Sequence, residues 1–362
     1  MHNNKSTTIS SEVTCSVIPL NKENVEWGAF LETTKDANFF STYDFWQLFS
    51  NVYCVVARNA KNEIVAGIPF NFHSVTPLFK ICRVESSIIV SKSVDTDIYE
   101  LKKLVMEFLI SYLKREKIIS LFFSTKSRSN DGELLHELGF KVKNHGTYML
   151  DITAEESELY KSFSKGHKSS IQKAIKANVQ VRIEEGKAAE SLIDDFCKVQ
   201  DSLFIRKRKN FLPVYVKSKE FITKLLNSEQ SKIYIVIAYF EDVPAAVAIF
   251  VSFNSMVYYY AGASDYQLTK KTQAANLLHL EFMKYAKQNG YTQYDFGGAE
   301  QDCDKSSNMY GVYEFKKHFG GEFIEYNGGV LIIRKNFYWI MKKLERYASL
   351  PVFSGIVNLL KK

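Results

Sequence analysis

A chain of 362 residues with 46% apolar and 24% charged positions has an ordinary globular composition and is long enough for two domains at roughly 100–200 residues each. Its formal charge of +7 favours polyanionic partners such as RNA, phosphorylated substrates or an anionic membrane surface, and is too small an excess to choose among them. Five cysteines, Cys15, Cys54, Cys82, Cys197 and Cys303, are scattered without CxxC spacing, which argues against a disulfide frame or a zinc knuckle and for a reduced, cytoplasmic chain.

The start, MHNNKSTTISSEV, has no apolar h-region, so no signal peptide is expected. No apolar run reaches the ~18 residues of a membrane span; the nearest, VPAAVAIFVSF at Val243–Phe253, is strand-length and β-branched. Val52 to Phe72 predicts two strands around a polar turn at Asn59–Glu63. A third strand in ICRVESSIIV, a helix over Tyr99–Arg115 and a buried strand at IISLFFS come next. After Glu133 the first half closes with a glycine-stopped helix and a hairpin, ELLHELGFKVKNHGTYMLDI.

The second half repeats this plan. Ile233–Phe253 predicts two strands around Glu241–Pro244, then come the strand MVYYYAGAS, a helix over Gln273–Gln288, the strand YTQYDFGG and a closing helix and hairpin, YEFKKHFGGEFIEYNGGVLII. The offset of about 175–180 residues is half the chain and marks a tandem duplication. The order strand, strand, strand, helix, strand, helix, strand resembles the acetyltransferase-type (GNAT-like) fold, an α/β (α+β) architecture. The expectation is a first GNAT-like domain over 1–152, a second over 153–336 with a basic helical insert, and an amphipathic helical tail over 337–362.

Within the insert, FSKGHKSSIQKAIKANVQV predicts a helix near Ser164–Lys176 with Ile171, Ala174 and Ile175 inward and Lys165, His167, Lys168, Lys173 and Lys176 outward. A helical pair over Ser191–Asn227 carries RKRK, with Arg206 and Arg208, and the pair Lys270–Lys271 follows later. These cations make either a phosphate-binding surface or a solvated charged face.

Standard catalytic motifs are missing: no GxxxxGK[ST], no GxGxxG after a strand, no HExxH and no GxSxG, and the seven histidines lack metal spacing, so no metal is expected. Two segments stand out instead. YDFGG sets Asp295 between aromatics before Gly297 and Gly298, glycines that let a ligand or another backbone approach. GVYEFKKHFGG predicts a short helix with Val312, Phe315 and Phe319 on one face. Neighbours on a helix point about 100° apart, so Lys316 and Lys317 cannot share an environment. The plainer reading makes both of them last-turn cations facing the helix dipole.

SFSKGHKSSIQKAIKANVQV, YAGASDYQLTKKTQAANLLHLEFMKYAKQNGYTQYDFGG and GVYEFKKHFGGEFIEYNGG, in that order and spacing, resemble the Fem family (FemABX) of peptidoglycan bridge-forming aminoacyltransferases over roughly Tyr160 to Ile333. The resemblance implies transfer of an amino acid from aminoacyl-tRNA to an amine of a peptidoglycan precursor, with no separate cofactor. It places Phe315 and Lys316 at the donor end, Phe315 against the terminal nucleoside and Lys316 facing the reacting carbonyl. Asp295 and Glu314 are then candidate proton acceptors, and Tyr313, Tyr260, Gly297 and Gly298 candidate substrate contacts. The tRNA would be gripped by Lys165, Lys168, Lys173, Lys176, Arg206, Arg208, Lys270 and Lys271.

Two other readings stand beside this one. An acyl-CoA-dependent N-acyltransferase acting on an amino sugar or lipid-linked polysaccharide needs a glycine-bearing diphosphate turn, and KKTQAAN at Lys270–Asn276 has alanines there. A non-catalytic RNA-binding protein would need only the basic surface. In the tail, Trp339, Ile340, Leu344 and Tyr347 oppose Lys342, Lys343 and Arg346, a pattern for peripheral contact with the inner face of a membrane bearing the lipid-linked acceptor.

Overall fold

The computed structural model describes residues 13–348 apart from 77–78, 95–96, 127–130, 210–216 and 308. Its chain forms two compact units, one running up to Asn144 and resuming at Tyr326, the other continuous from His145 to Glu325. In chain order the strands are β1 Thr14–Pro19, β2 Val52–Arg58, β3 Ile64–Thr76, β4 Phe79–Val84, β5 Ile89–Val90, β6 Ser120–Ser124, β7 Lys141–Val142 and β8 His145–Asp151. They continue with β9 Gln180–Glu185, β10 Ile233–Phe240, β11 Val243–Phe253, β12 Met256–Ser264, β13 Gln293–Ala299, β14 Glu322–Tyr326 and β15 Gly328–Ile332.

Among the described residues these strands form two sheets. The first unit holds β1-β2-β3-β4-β6-β15-β7, with β5 on β3, and the second holds β14-β8-β13-β12-β11-β10-β9. Each sheet is antiparallel except at one parallel pair, β4 with β6 and β12 with β13. A parallel pair needs a long crossover, supplied by the helices Ile98–Arg115 and Ala274–Gln288. The first turns Leu101, Val105, Met106, Leu109 and Leu113 onto the strand residues Val55, Ile68, Phe70 and Leu121. The second packs Leu278, Phe282, Met283 and Ala286 against Tyr234, Phe250 and Tyr294, with the Phe250 and Phe282 rings stacked 3.8 Å apart. The tandem GNAT-like architecture read from the element order is therefore present.

The expected closing hairpins are not. The strands β7 and β8, adjacent in sequence, lie in different sheets, as do β14 and β15. Instead β7 pairs with β15, and β8 lies between β13 and β14. The expected boundary at 152 thus falls one strand late, and β15, expected in the second domain, completes the first unit's sheet. Gly146 lets β8 fit against β14: a Cβ there would sit 2.3 Å from the Ile324 carbonyl oxygen.

Other expectations need adjustment. The basic helix runs Lys165–Lys176 and buries Ile171 and Ala174, yet Ile175 is 51% exposed and His167 is buried. The helical pair is present at Ile193–Lys209 and Lys219–Leu226. Around Trp27, the first unit also contains helices at Val25–Glu32 and Tyr43–Trp46 that the periodicity did not predict. The tail begins with a helix over Lys335–Ala348 whose Met341 packs on Phe79 and Ile119, while Trp339 and Ile340 are exposed. The side chains of Leu344, Arg346 and Tyr347 and everything after Ala348 lie outside the described residues. Among those residues no helix is long and apolar enough to cross a membrane.

Candidate active site

The site follows from a split in the second unit's sheet. β12 and β13 pair only over Met256–Tyr258 and Gln293–Asp295. Beyond that the register slips, in β12 next to Tyr259 and in β13 between Asp295 and Gly298. Such irregularities bend strands apart and re-aim their side chains. A cleft of 360 Å³ results, walled by Ala246, Ala248, Ala263 and Ala275 and floored by Tyr259, His279, Phe315 and Lys316.

Lys316 sits on the helix Tyr310–Lys317 and is only 7% exposed. Its ammonium donates to the carbonyl oxygens of Gly297 at 3.0 Å and Gly298 at 2.8 Å, and lies 5.7 Å from the centre of the Tyr259 ring. Charge-assisted bonds to two backbone carbonyls hold a buried ammonium in a single position. Lys317, one residue on, points elsewhere: it donates to the Tyr313 hydroxyl at 2.7 Å and rests 5.0 Å from that ring's centre. The two lysines therefore differ as helix geometry requires.

The carbonyls that hold Lys316 are themselves fixed. Gly297 has φ +68, and a Cβ there would meet the Tyr259 carbonyl oxygen at 2.7 Å, so a glycine is needed on both counts. Asp295 secures that turn by accepting from the Gly297 amide at 2.6 Å and from the Thr147 hydroxyl, while Thr147 Oγ1 also lies 3.0 Å from the Gly297 carbonyl oxygen. Asp295 is buried and lies outside the residues that line the cleft. It positions Lys316 through the turn.

Phe315 lines the cleft on a cushion of His167, His279 and Phe319, with ring centres 5.5, 5.2 and 5.2 Å away. His167 donates from Nε2 to the Phe315 carbonyl at 2.9 Å, tying the basic helix to the Tyr310–Lys317 helix. Burial lowers the His167 pKa to about 4. Burial, reinforced by the Lys316 charge, takes His279 down to about 3. Both rings are therefore neutral near pH 7. Tyr259 is raised to about 12 by burial and stays protonated. Its hydroxyl takes no partner among the described residues.

The remaining expected residues are dispersed. Glu314 pairs with His318 at 3.6 Å, off the cleft. Tyr313 is buried against Tyr148 and Tyr310. Tyr260 stacks with Phe221, with the Lys217 ammonium 5.0 Å from its ring centre. Lys173 donates to the Lys270 carbonyl at 3.0 Å and Lys168 to the Lys161 carbonyl at 2.9 Å, while Lys165 and Lys176 are exposed. Lys271 lies 4.4 Å over the Phe240 ring, and Arg206 lines the cleft 5.1 Å from the Tyr266 ring. Arg208 is within the Ile193–Lys209 helix, but its side chain lies outside the described residues. Tyr259, Thr147, His167 and His279 escaped the sequence reading. Only the repeated aromatics of MVYYYAGAS could have flagged the first.

Among the described residues no group of three or more carboxylate, histidine or cysteine side chains is placed to hold a metal ion.

Residues 222–346 match the FemAB family. The lipid II:glycine glycyltransferase of Staphylococcus epidermidis is 30% identical over 128 residues, 35% of this chain and 28% of that protein. The chain thus aligns with little more than a quarter of that relative's length. Among solved structures, a crystal structure of FemX superposes with a TM-score of 0.66 at 16% identity, covering 90% of this chain and 99% of that one. A tandem GNAT protein from the clavulanic acid biosynthesis pathway gives a TM-score of 0.56 at 9% identity, covering 89% and 99%. At such identities the two structures speak to fold alone. Together these likenesses support the resemblance to the Fem-type, GNAT-like family.

Proposed function

We propose, taking that Fem-type resemblance as the premise, that this chain is an aminoacyltransferase that moves an amino acid from aminoacyl-tRNA to an amine of a peptidoglycan precursor. The observation that carries the reading is the buried Lys316, anchored by the Gly297 and Gly298 carbonyls at the floor of a cleft shared with Phe315 and Tyr259. Its relative in Staphylococcus epidermidis, by name, uses lipid II as acceptor and glycine as the transferred group.

In the reaction the acceptor nitrogen attacks the ester carbonyl carbon. The carbon–nitrogen bond forms, the bond to the ribose oxygen breaks, the amine gives up one proton and the leaving oxygen gains one. Negative charge gathers on the carbonyl oxygen in between. A preplaced ammonium at the floor of the cleft lowers that barrier without reorganising. The Tyr259 hydroxyl, protonated and open to the same cleft, supplies a proton donor for the leaving oxygen. Phe315 offers a flat apolar face to the terminal base. Proximity does the rest, since amine and ester react readily once held together.

The basic helix, with Lys165, Lys168, Lys173 and Lys176, and the Lys270–Lys271 pair would meet the tRNA phosphates. The Lys335–Ala348 helix, with Trp339 and Ile340 exposed, would rest on the membrane that carries the acceptor. A second reading, acyl-CoA as donor, draws support from the Ala274–Gln288 helix, which starts at the cleft with no side-chain cap and could receive a phosphate.

The deciding experiment offers the purified chain charged tRNA or acyl-CoA together with a precursor peptide and reads the acceptor by mass spectrometry. Aminoacyl transfer abolished by ribonuclease supports the first reading. Transfer that survives ribonuclease and follows acyl-CoA replaces it with the second.

A further inference from the structure

The basic helix Lys165–Lys176 turns one face to solvent and fastens both of its ends to other elements. Lys165, Ser169, Gln172 and Lys176 recur at helical spacing as an exposed stripe, roughly 16 Å long at about 1.5 Å per residue, with Lys173 beside it. On the opposite face Ile171 and Ala174 are buried in the second unit's core.

The first turn of this helix closes the end of the Tyr310–Lys317 helix. The carbonyls of a helix's last turn have no partner within the helix and must find one beyond it. Here the amides of His318, Phe319 and Gly320 take the carbonyls of Glu314, Lys316 and Lys317. The carbonyl left over is that of Phe315, and it accepts from His167 Nε2. Ser164, the N-cap of the basic helix, donates its amide to the His318 carbonyl at 2.9 Å. The His167 ring stands edge-on to Phe319 with centres 4.5 Å apart. Gly320, at φ +82, brings the chain so near Ser162 that a Cβ would meet its carbonyl oxygen at 3.0 Å. At the other end, Lys173 donates to the Lys270 carbonyl, in the helix Tyr266–Thr272, which passes through Gln273 at φ 61 into the Ala274–Gln288 helix.

The basic helix is thus a strut between the Lys316 helix and the start of the crossover helix. Ring packing permits sliding, whereas a hydrogen bond to one carbonyl fixes the rotation of the helix that bears it. Lys316 follows Phe315 directly, so the bond from His167 also fixes the direction in which the Lys316 side chain leaves the helix. In a close-packed interior a displacement of the strut is passed on to its buried ends.

We propose that His167 is a positioning residue that couples polyanion binding on the outer face of the basic helix to the aim of Lys316, so that phosphate contacts remote from the reacting bond raise the rate of transfer as well as the affinity for the donor. The inference rests on the aminoacyl-tRNA reading and deepens it. Contacts to the non-reacting body of a substrate accelerate a reaction only when they are used to orient the reacting groups, and this strut is a route for that use.

The test uses the full chain and two charged donors, an intact aminoacyl-tRNA and a short aminoacylated ribo-oligonucleotide with the same 3′ sequence, in single-turnover transfer to a precursor peptide at saturating donor. The readout is the ratio of the two maximal rates. In the parent the intact tRNA should be faster by roughly tenfold, the worth of one well-placed hydrogen bond. His167→Ala should bring the ratio near one with tRNA affinity unchanged. His167→Gln, which keeps an N–H donor at the far end of the side chain, should recover much of it. Lys165→Ala combined with Lys176→Ala should also bring the ratio near one, with weaker tRNA binding and a shallower salt dependence. Those two lysines are exposed, so the double variant decides the matter even where His167→Ala fails to fold. A parent ratio near one, or a double variant that loses affinity and keeps the ratio, overturns the coupling. So does equal slowing of both donors in His167→Ala without recovery in His167→Gln, which makes the residue structural. All of these leave the donor reading intact, whereas a parent that accepts neither charged RNA overturns that reading and the coupling with it.

Discussion

Adjacent lysines with opposite fates give the sharpest residue-scale test. Lys316→Ala should cut single-turnover transfer by roughly 10²–10³, about 3–4 kcal/mol, with little change in tRNA binding. Lys317→Ala should be nearly silent in rate, since its ammonium donates to the Tyr313 hydroxyl and does not line the cleft. Equal rates for Lys316→Ala and the parent would make the Gly297–Gly298 contacts purely structural and remove the case for catalysis here. The buried histidines make a second test. His279 is neutral in the folded chain with a pKa near 3 and titrates near 6.5 when unfolded, so between those values the unfolded chain binds more protons. Stability must therefore fall as the pH drops through 6.5. Between pH 7 and 5.5, where most carboxylates stay ionised, His279 should cost about 1 kcal/mol, with His167 adding a smaller loss of the same sign. Urea midpoints at the two pH values check this, and a midpoint independent of pH would mean that neither ring is held neutral. The sequence allowed Lys316 to be told from Lys317 because helical geometry is local. It hid Asp295 as the holder of the Gly297 turn, because Thr147, its hydroxyl partner, lies 148 residues away.

Among the elements, the split between β12 and β13 makes the cleft, and nothing local signals it: register slips at Tyr259 and Gly297 leave a strand's alternation almost unbroken. Helices with strong periodicity were legible to within a residue or two, as at Ile98–Arg115 and Lys165–Lys176. His167 read as solvent-facing because polar residues usually are, and only the Phe315 carbonyl explains its burial. The Lys335–Ala348 helix carries the remaining prediction of this kind. Trp339 and Ile340 are 56% and 48% exposed, and Phe337 lies under the Arg334 guanidinium at 4.0 Å. Apolar side chains among cations bind anionic bilayers through burial and charge together. Full-length protein should sediment with vesicles containing phosphatidylglycerol and not with neutral ones, and Trp339→Ala with Ile340→Ala should reduce the bound fraction several-fold. Unchanged sedimentation of the double variant removes this helix from any membrane role.

For the whole molecule, the duplication period found two folds but not the exchange of their last strands, since nothing local in β7, β8, β14 or β15 names a partner. The second unit is nevertheless one continuous segment, inserted into the first between Asn144 and Tyr326. A fragment from His145 to Glu325 should therefore unfold cooperatively, whereas one cut at the sequence-derived limits, 153–336, lacks β8 from inside its sheet and should not. Circular dichroism melts of the two fragments decide it, and equal cooperativity would show β8 to be dispensable. The same insertion sets an order of birth. As the chain leaves the ribosome, the first unit stalls with a gap between β6 and β7, and the second can close its whole sheet before β15 emerges to fill that gap. The half that starts first finishes last, so a nonsense codon or protease nick just after Glu325 spares the cleft and orphans the amino-terminal sheet.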